Sequence, residues 1–261
     1  MELTKAQIEE YGRNGFLFFP GLLSAVEMSV LSRAVEEIAK VDRRELVREK
    51  DGATPRSIFN MHAYNEAFSR LVRHPDIVPP VTQLLGGPCY VFQLVLNFKR
   101  AFTGDAWPWH QDYPTYHFDD GMPKPRLVNV LIFMDEVNEF NGPLMLVPSS
   151  HLEDYPLPNI DTTKTSYPAR WLPEKHFAQL ARERGLVAPK GPPGSVIFAH
   201  TNIVHGSGAN ISPYNRSMMS LTINALDNVP TKPSRRPDFI VPSDRTPLKA
   251  TTADCLTSLA Q

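Results

Sequence analysis

Residues Cys89 to Lys99 alternate with a period of two. One face carries Tyr90, Phe92, Leu94, Leu96 and Phe98, whose only polar side-chain atom is the tyrosine hydroxyl. The other carries Val91, Gln93, Val95, Asn97 and Lys99. Such alternation requires an extended strand. The apolar face must be covered, while Gln93 and Asn97 need a polar interior such as that of a small β-barrel. A strand clad on one side and facing a barrel interior on the other constrains the fold more than any other stretch.

The segments before it supply the cladding. Thr4 with Gln7 predicts a capped helix that stops at Asn14-Gly15, before the apolar run Phe16 to Phe19. Ser24 with Glu27 opens a second helix whose Met28, Leu31, Val35 and Ile38 share a face. Short helices follow around Phe68 to Val72 and around Val81 to Leu85, the latter ending at Gly86-Gly87. Further strands are expected at Arg126 to Met134, Leu144 to Val147, Ser195 to Phe198, Ile203 to His205 and Arg216 to Ala225, with a helical insertion over Pro173 to Arg184. Many short strands punctuated by glycine and proline predict a mainly β fold with α elements, a cupin-like jelly roll clad by N-terminal helices. One domain over 1–261 is expected: 1–88 mostly helical cladding, 89–225 the core, and 226–261 a proline-rich tail able to act as a lid.

Charge narrows the functions. The 27 basic and 28 acidic residues are interleaved, which provides no footprint for nucleic acid or an anionic membrane. The apolar runs fall short of a membrane span, and Met1 to Arg13 reads as charged helix. A cytoplasmic monomer or homodimer acting on a small molecule is the expectation. Cys89 and Cys255 are far apart and read as incidental.

The residues that carry chemistry are His110-Gln111-Asp112 and, far downstream, His205. Two imidazoles and a carboxylate on one face of a metal leave the opposite face open, as in iron(II) oxygenases. An extended turn presents residues i and i+2 on one side, and a distant strand must bring the third ligand. His200 rivals His205, but Gly206-Ser207 and Arg216 follow His205. A hairpin centred on Asn210 and Ile211 would set Arg216 opposite His205, where its fork could grip a carboxylate beside the metal. His62, His74, His151 and His176 lack such context. Trp107 and Trp109 could wall the site.

The run Trp109 to Asp112, then Asp120-Gly121-Met122-Pro123, Asn141 to His151, Gly194-Ser195-Val196, His205-Gly206-Ser207, Pro213 to Ser217 and Arg236 to Ile240 resembles the phytanoyl-CoA dioxygenase superfamily, in its ectoine-hydroxylase-like branch. The resemblance covers most of the chain. It implies a double-stranded β-helix that binds iron(II) through His110, Asp112 and His205 and uses 2-oxoglutarate and O₂ as co-substrates. It further places Arg216, Ser207 and Asn97 on the distal carboxylate of 2-oxoglutarate, and Gln93, Thr115 and Tyr116 in the substrate pocket.

The implied reaction hydroxylates an unactivated C–H bond and releases succinate and CO₂. Ectoine hydroxylases carry Gln-Ser-Arg-Ile-Asn on the first core strand and a tryptophan after the loop threonine. This chain has Gln93-Leu94-Val95-Leu96-Asn97 and Tyr116. The more apolar strand points to a free aliphatic L-amino acid, its charged ends held by Thr115, His117 and Asp119 in the loop after the metal ligands, or by Arg126. Ectoine or an acyl-CoA is the competing substrate, and a cupin-like metal-binding protein without redox chemistry the competing class.

Overall fold

The computed structural model describes residues 1–49, 51–155, 160–161 and 169–260. In chain order come α1 (Lys5–Asn14), β1 (Phe16–Phe19), α2 (Ala25–Ala39), β2 (Leu46–Arg48), β3 (Pro55–Phe59), α3 (Glu66–Leu71), α4 (Val78–Leu85) and β4 (Cys89–Asn97). Next are β5 (Trp107–His110), α5 (Tyr113–Asp120), β6 (Leu127–Phe133), β7 (Leu144–Leu146), β8 (Ile160–Asp161) and β9 (Ala169–Arg170). The series ends with α6 (Glu174–Arg184), β10 (Val196–His200), β11 (His205–Ser207) and β12 (Met218–Ala225).

Both predicted capping boxes form: Thr4 and Ser24 accept from the backbone N–H of Gln7 and Glu27, whose side chains reach back. Two sheets face each other. The larger has the order β1-β10-β6-β12-β4-β3-β2 and the smaller β5-β11-β7, which is the jelly-roll arrangement. Leu94, Leu96 and Phe98 join Val130, Ile132, Met219 and Leu221 in the main core beneath Met28, Leu31 and Ile38 of α2 and Leu71 of α3. The N-terminal cladding is therefore real, and it also contributes strands: β1 lengthens one edge of the large sheet and β3 and β2 the other.

Three expectations are corrected. The alternation of β4 does not run unbroken from Cys89. Its pairing with β12 shifts between Thr222↔Gln93 and Ile223↔Val91, leaving Phe92 as an extra residue. A bulge reverses the faces beyond it, so Val91 lies in the main core while Phe92 turns inward against Tyr116, Met122 and Leu127. Secondly, residues 209–212 make no hairpin returning along β11. Strand β11 pairs with β5 and β7, whereas β12 pairs with β4 and β6, so this segment carries the chain from one sheet to the other. Thirdly, the stretch after the metal-type ligands is helix α5, begun with Pro114 in its first turn and ended by Gly121 at φ 75.

Candidate metal centre

The His-Gln-Asp tripeptide sits where β5 turns into α5. Asp112 and Tyr113 both donate their backbone N–H to the carbonyl of Thr201, at 3.0 Å. Gln111 points the other way and donates to the Asn202 carbonyl at 2.6 Å, which leaves its two neighbours on the opposite side. Strand pairing supplies the third group, since His205 of β11 lies directly across from His110 of β5.

Ligand atoms of His110, Asp112 and His205 all lie within 4.8 Å of one another. His110 Nε2 is 3.4 Å from Asp112 Oδ1 and His205 Nε2 is 3.7 Å from Asp112 Oδ2. Each histidine places Nδ1 on the carbonyl two residues before it, Pro108 at 2.7 Å and Ile203 at 3.0 Å. A carbonyl can only accept, so Nδ1 carries the hydrogen and Nε2 keeps its lone pair for a metal. Burial opposes the charge of Asp112, but His205, His110 and a hydrogen bond from Asn129 outweigh it and hold the carboxyl at about 2. Burial and the neighbouring His110 lower His205 to about 4. Two imidazoles beside one carboxylate fit a divalent iron centre. His200, the rival ligand, instead accepts from Asn202 N–H at 3.0 Å and packs against Tyr11 and His151.

A cavity of about 100 Å³ opens beside these groups, lined in part by Gln93, Val95, Asn97, Trp107, Tyr116 and Arg216. Strand register orders the neighbouring strands β4, β12 and β6 in rows. Asn97 and Phe133 flank Met218, Val95 and Leu131 flank Ser220, and Gln93 and Asn129 flank Thr222. At the Asn97 end, buried Arg216 donates Nε to the Gly142 carbonyl at 3.0 Å, while its Nη2 has no hydrogen-bond partner among the described residues. Burial lowers this guanidinium to about 10, which leaves it cationic at neutral pH. Gly142 holds the loop at φ 71, where an added Cβ would stand 2.7 Å from the Gly208 carbonyl. Ser207 is buried beside it and accepts from Lys99 Nζ at 3.0 Å, so its own hydrogen is available to the cavity. Asn97 Oδ1 accepts from the Ser57 hydroxyl at 2.8 Å, which leaves its amide Nδ2 as a donor.

Thus His110, Asp112, His205, Arg216, Ser207, Asn97, Gln93 and Tyr116 are brought to one cavity. Thr115, His117 and Arg126 do not line it. His117 Nδ1 is 2.8 Å from the Met122 carbonyl and exposed, and Arg126 donates Nη1 to both carboxylate oxygens of Asp227 at 2.8 Å and Nη2 to the Leu85 carbonyl at 3.1 Å. Helix formation after Asp112 turns His117 outward, and the acceptors of Arg126 lie at the end of α4 and just beyond β12. Trp107 lines the cavity, but Trp109 stacks on Phe177 of α6 at 4.0 Å.

Four functional neighbours escape the sequence reading of the site. Asn129 donates to Asp112 Oδ2 at 2.6 Å. Buried Lys99 donates to the carbonyls of Asp105 and Gly208 as well as to Ser207, and burial with Arg216 nearby lowers it to about 6. Arg236 of the tail pairs with buried Asp120 and donates Nη1 to Gln93 Oε1 at 3.2 Å. Trp171 sets its ring edge-on to His110, 5.4 Å between centroids. The available signal for Asn129 was a lone polar residue inside the apolar run Leu127 to Phe133, every member of which is buried.

Comparison with known proteins agrees with this geometry. The chain is 37% identical over 259 residues to L-proline trans-4-hydroxylase of Streptomyces griseoviridis, a match covering 94% of this chain and 95% of that protein. The structure of EctD from S. alaskensis with 2-oxoglutarate and 5-hydroxyectoine superposes with a TM-score of 0.82 at 31% identity, covering 96% of this chain and 86% of that one. EctD with bound Fe superposes at 0.83, also at 31% identity, covering 95% and 87%. The family described as phytanoyl-CoA dioxygenase (PhyH) matches residues 11–218, well over half of the sequence. A chain that carries this fold, this triad and this length of match belongs to the phytanoyl-CoA dioxygenase family.

Proposed function

We propose that the protein hydroxylates a free L-amino acid with a compact hydrocarbon side chain, L-proline being the first candidate. As a member of its family it is an iron(II)- and 2-oxoglutarate-dependent dioxygenase. The observation that carries the reading is Arg216, a buried cation at one end of the cavity that the triad adjoins, whose Nη2 has no hydrogen-bond partner among the described residues. A buried guanidinium with a spare donor is a site for a carboxylate.

In this reading His110, Asp112 and His205 hold the iron. Arg216, with the Ser207 hydroxyl and the Asn97 amide, grips the distal carboxylate of 2-oxoglutarate. Bound iron, with 2-oxoglutarate and O₂, supplies the oxidising power that turns a C–H bond into C–OH while 2-oxoglutarate becomes succinate and CO₂. The chain's own residues position the partners and exclude water. Tail residue Ile240 packs on Val95 and Phe59, and Arg236 holds Gln93 Oε1, so the amide nitrogen of Gln93 remains a donor to the substrate. Val95, Leu131, Leu144 and Met218 present apolar surface to a hydrocarbon side chain. Tyr116 lines the same cavity, toward the Gln93 row.

Proline is favoured over ectoine because the relative at 37% identity is a proline hydroxylase and is covered nearly end to end. A cavity of about 100 Å³ suits a small amino acid better than an acyl-CoA. The test is a panel of free amino acids, ectoine and acyl-CoA thioesters, scored for substrate-dependent succinate release and a mass gain of one oxygen. Proline or another aliphatic amino acid should be turned over. Turnover of only ectoine or an acyl-CoA would overturn the assignment.

A further inference from the structure

A file of three polar side chains leads from Tyr116, which lines the cavity, through Thr222 and Asn129 of the large sheet to Asp112. Asn129 Nδ2 donates to Asp112 Oδ2 at 2.6 Å, Thr222 Oγ1 donates to Asn129 Oδ1 at 2.7 Å, and the Tyr116 hydroxyl lies 3.4 Å from Thr222 Oγ1. All three side chains are buried, at 2%, 1% and 5% exposure. Their order follows from hydrogen counting. The carboxylate of Asp112 can only accept, so the amide of Asn129 must turn Nδ2 toward it and Oδ1 away. That oxygen takes the single hydroxyl hydrogen of Thr222, and Thr222 can then only accept from Tyr116. Each hydrogen bond of the file therefore runs toward Asp112.

We propose that Tyr116, Thr222 and Asn129 form a one-directional hydrogen-bond chain that orients the Asp112 carboxylate for the metal, with its far end in the wall of the substrate pocket. The proposal rests on the assignment of Asp112 to iron. Asn129 and Thr222 are direct cross-strand partners of β6 and β12, in the middle of the large sheet, so the position of the amide is set by backbone pairing. Asn129 occupies one lone pair of Oδ2 and fixes the plane of the carboxylate, as outer partners of metal ligands do. Tyr116 contributes from α5, the helix that starts immediately after Asp112, so its hydroxyl ties the two ends of that turn to the same file. These are positioning residues, since they act through Asp112.

The expected effect is on metal affinity before any turnover. Full-length protein is titrated anaerobically with iron(II), and the readouts are the dissociation constant and the visible charge-transfer absorption when 2-oxoglutarate is added. Asn129→Leu and Thr222→Val should weaken iron binding by roughly ten- to a hundred-fold. Thr222→Ser keeps the hydroxyl and should restore wild-type affinity. Tyr116→Phe leaves Thr222 its own hydrogen to donate, so it should weaken iron binding measurably but less than Thr222→Val. A purely structural role would lower the melting temperature while leaving the iron constant and the absorption unchanged. A wild-type constant in Thr222→Val or in Tyr116→Phe overturns the proposal. Should Asn129→Leu fail to fold, the near-isosteric Thr222→Val carries the test alone. Asp112→Ala separates the two levels: wild-type iron affinity in that variant would remove the metal assignment itself, whereas its loss beside unaltered Thr222→Val would remove only the chain.

Discussion

Arg216 shows how one side chain can be legible in a sequence for a reason that the structure replaces. A hairpin was expected to set it across from His205, yet His205 belongs to the small sheet while Arg216 stands just ahead of β12 of the large one, and the two meet at the cavity. The residue serves the same end because its backbone N–H is held by the Lys99 carbonyl at 2.9 Å and its Nε by Gly142, so the fork has one orientation. Arg216→Lys keeps the charge and loses that geometry. Hydrogen bonds to charged groups contribute ~1.5–3 kcal/mol, so 2-oxoglutarate affinity should fall roughly ten- to a hundred-fold, with substrate affinity changing far less. Calorimetric titration of 2-oxoglutarate into the iron-loaded variant checks this, and an unchanged constant would mean that another group binds the carboxylate. The same residue-scale logic explains why Lys99 was legible as an inward-facing position but not as a support for Ser207. Period two gives a face, whereas the partner across the cavity comes from a strand far along the chain.

Elements act here by closing the barrel from its ends. The proline-rich tail folds back so that Phe239 meets Phe59 and Arg236 reaches Asp120 at the end of α5. Asp120 is fully buried and Arg236 nearly so, and truncating one member of such a pair leaves an uncompensated charge inside the protein. Arg236→Met should therefore destabilise the fold by about 3–5 kcal/mol, with most of the loss recovered when Asp120→Asn is added. Urea denaturation of the two variants measures both steps, and a wild-type midpoint for Arg236→Met would show that the tail is not clamped through this pair. The bulge at Phe92 is the other decision taken by an element. Without it Tyr90 and Phe92 would face the helices. With it Tyr90 turns to accept from Asn224 at 2.9 Å and Phe92 packs against the ring of Tyr116 at 5.1 Å.

At the scale of the whole molecule, burial of titratable groups makes stability depend on pH. His62, His200 and His205 are each lowered by burial to about 4 from the ordinary 6.5, with His151 adding to the effect on His200 and His110 to that on His205. Below pH 6.5 the unfolded chain takes up protons that the folded chain refuses until about pH 4, so stability present above 6.5 is lost as pH falls through this window. Each group costs up to about 2 kcal/mol at pH 5. Metal-free protein should thus unfold at lower urea concentration at pH 5 than at pH 7, and His200→Gln should flatten the difference. Equal midpoints at the two pH values in the wild type would contradict burial of neutral imidazoles. No helix among the described residues is long and apolar enough to cross a membrane.

What the sequence determined by itself was whatever repeats locally or rides on a short motif. The caps at Thr4 and Ser24, the inward face of β4 from Gln93 onward and the i, i+2 pair His110 and Asp112 all follow from spacing along one segment. Tertiary structure alone decided what depends on two segments meeting. It set His205 across from His110 by strand register, it directed His117 to the Met122 carbonyl and Arg126 to Asp227, and it brought Asn129, Thr222 and Arg236 to the site. The physical reason is that side-chain period is encoded residue by residue, whereas register, bulges and cross-sheet partners are set by the packing of distant strands.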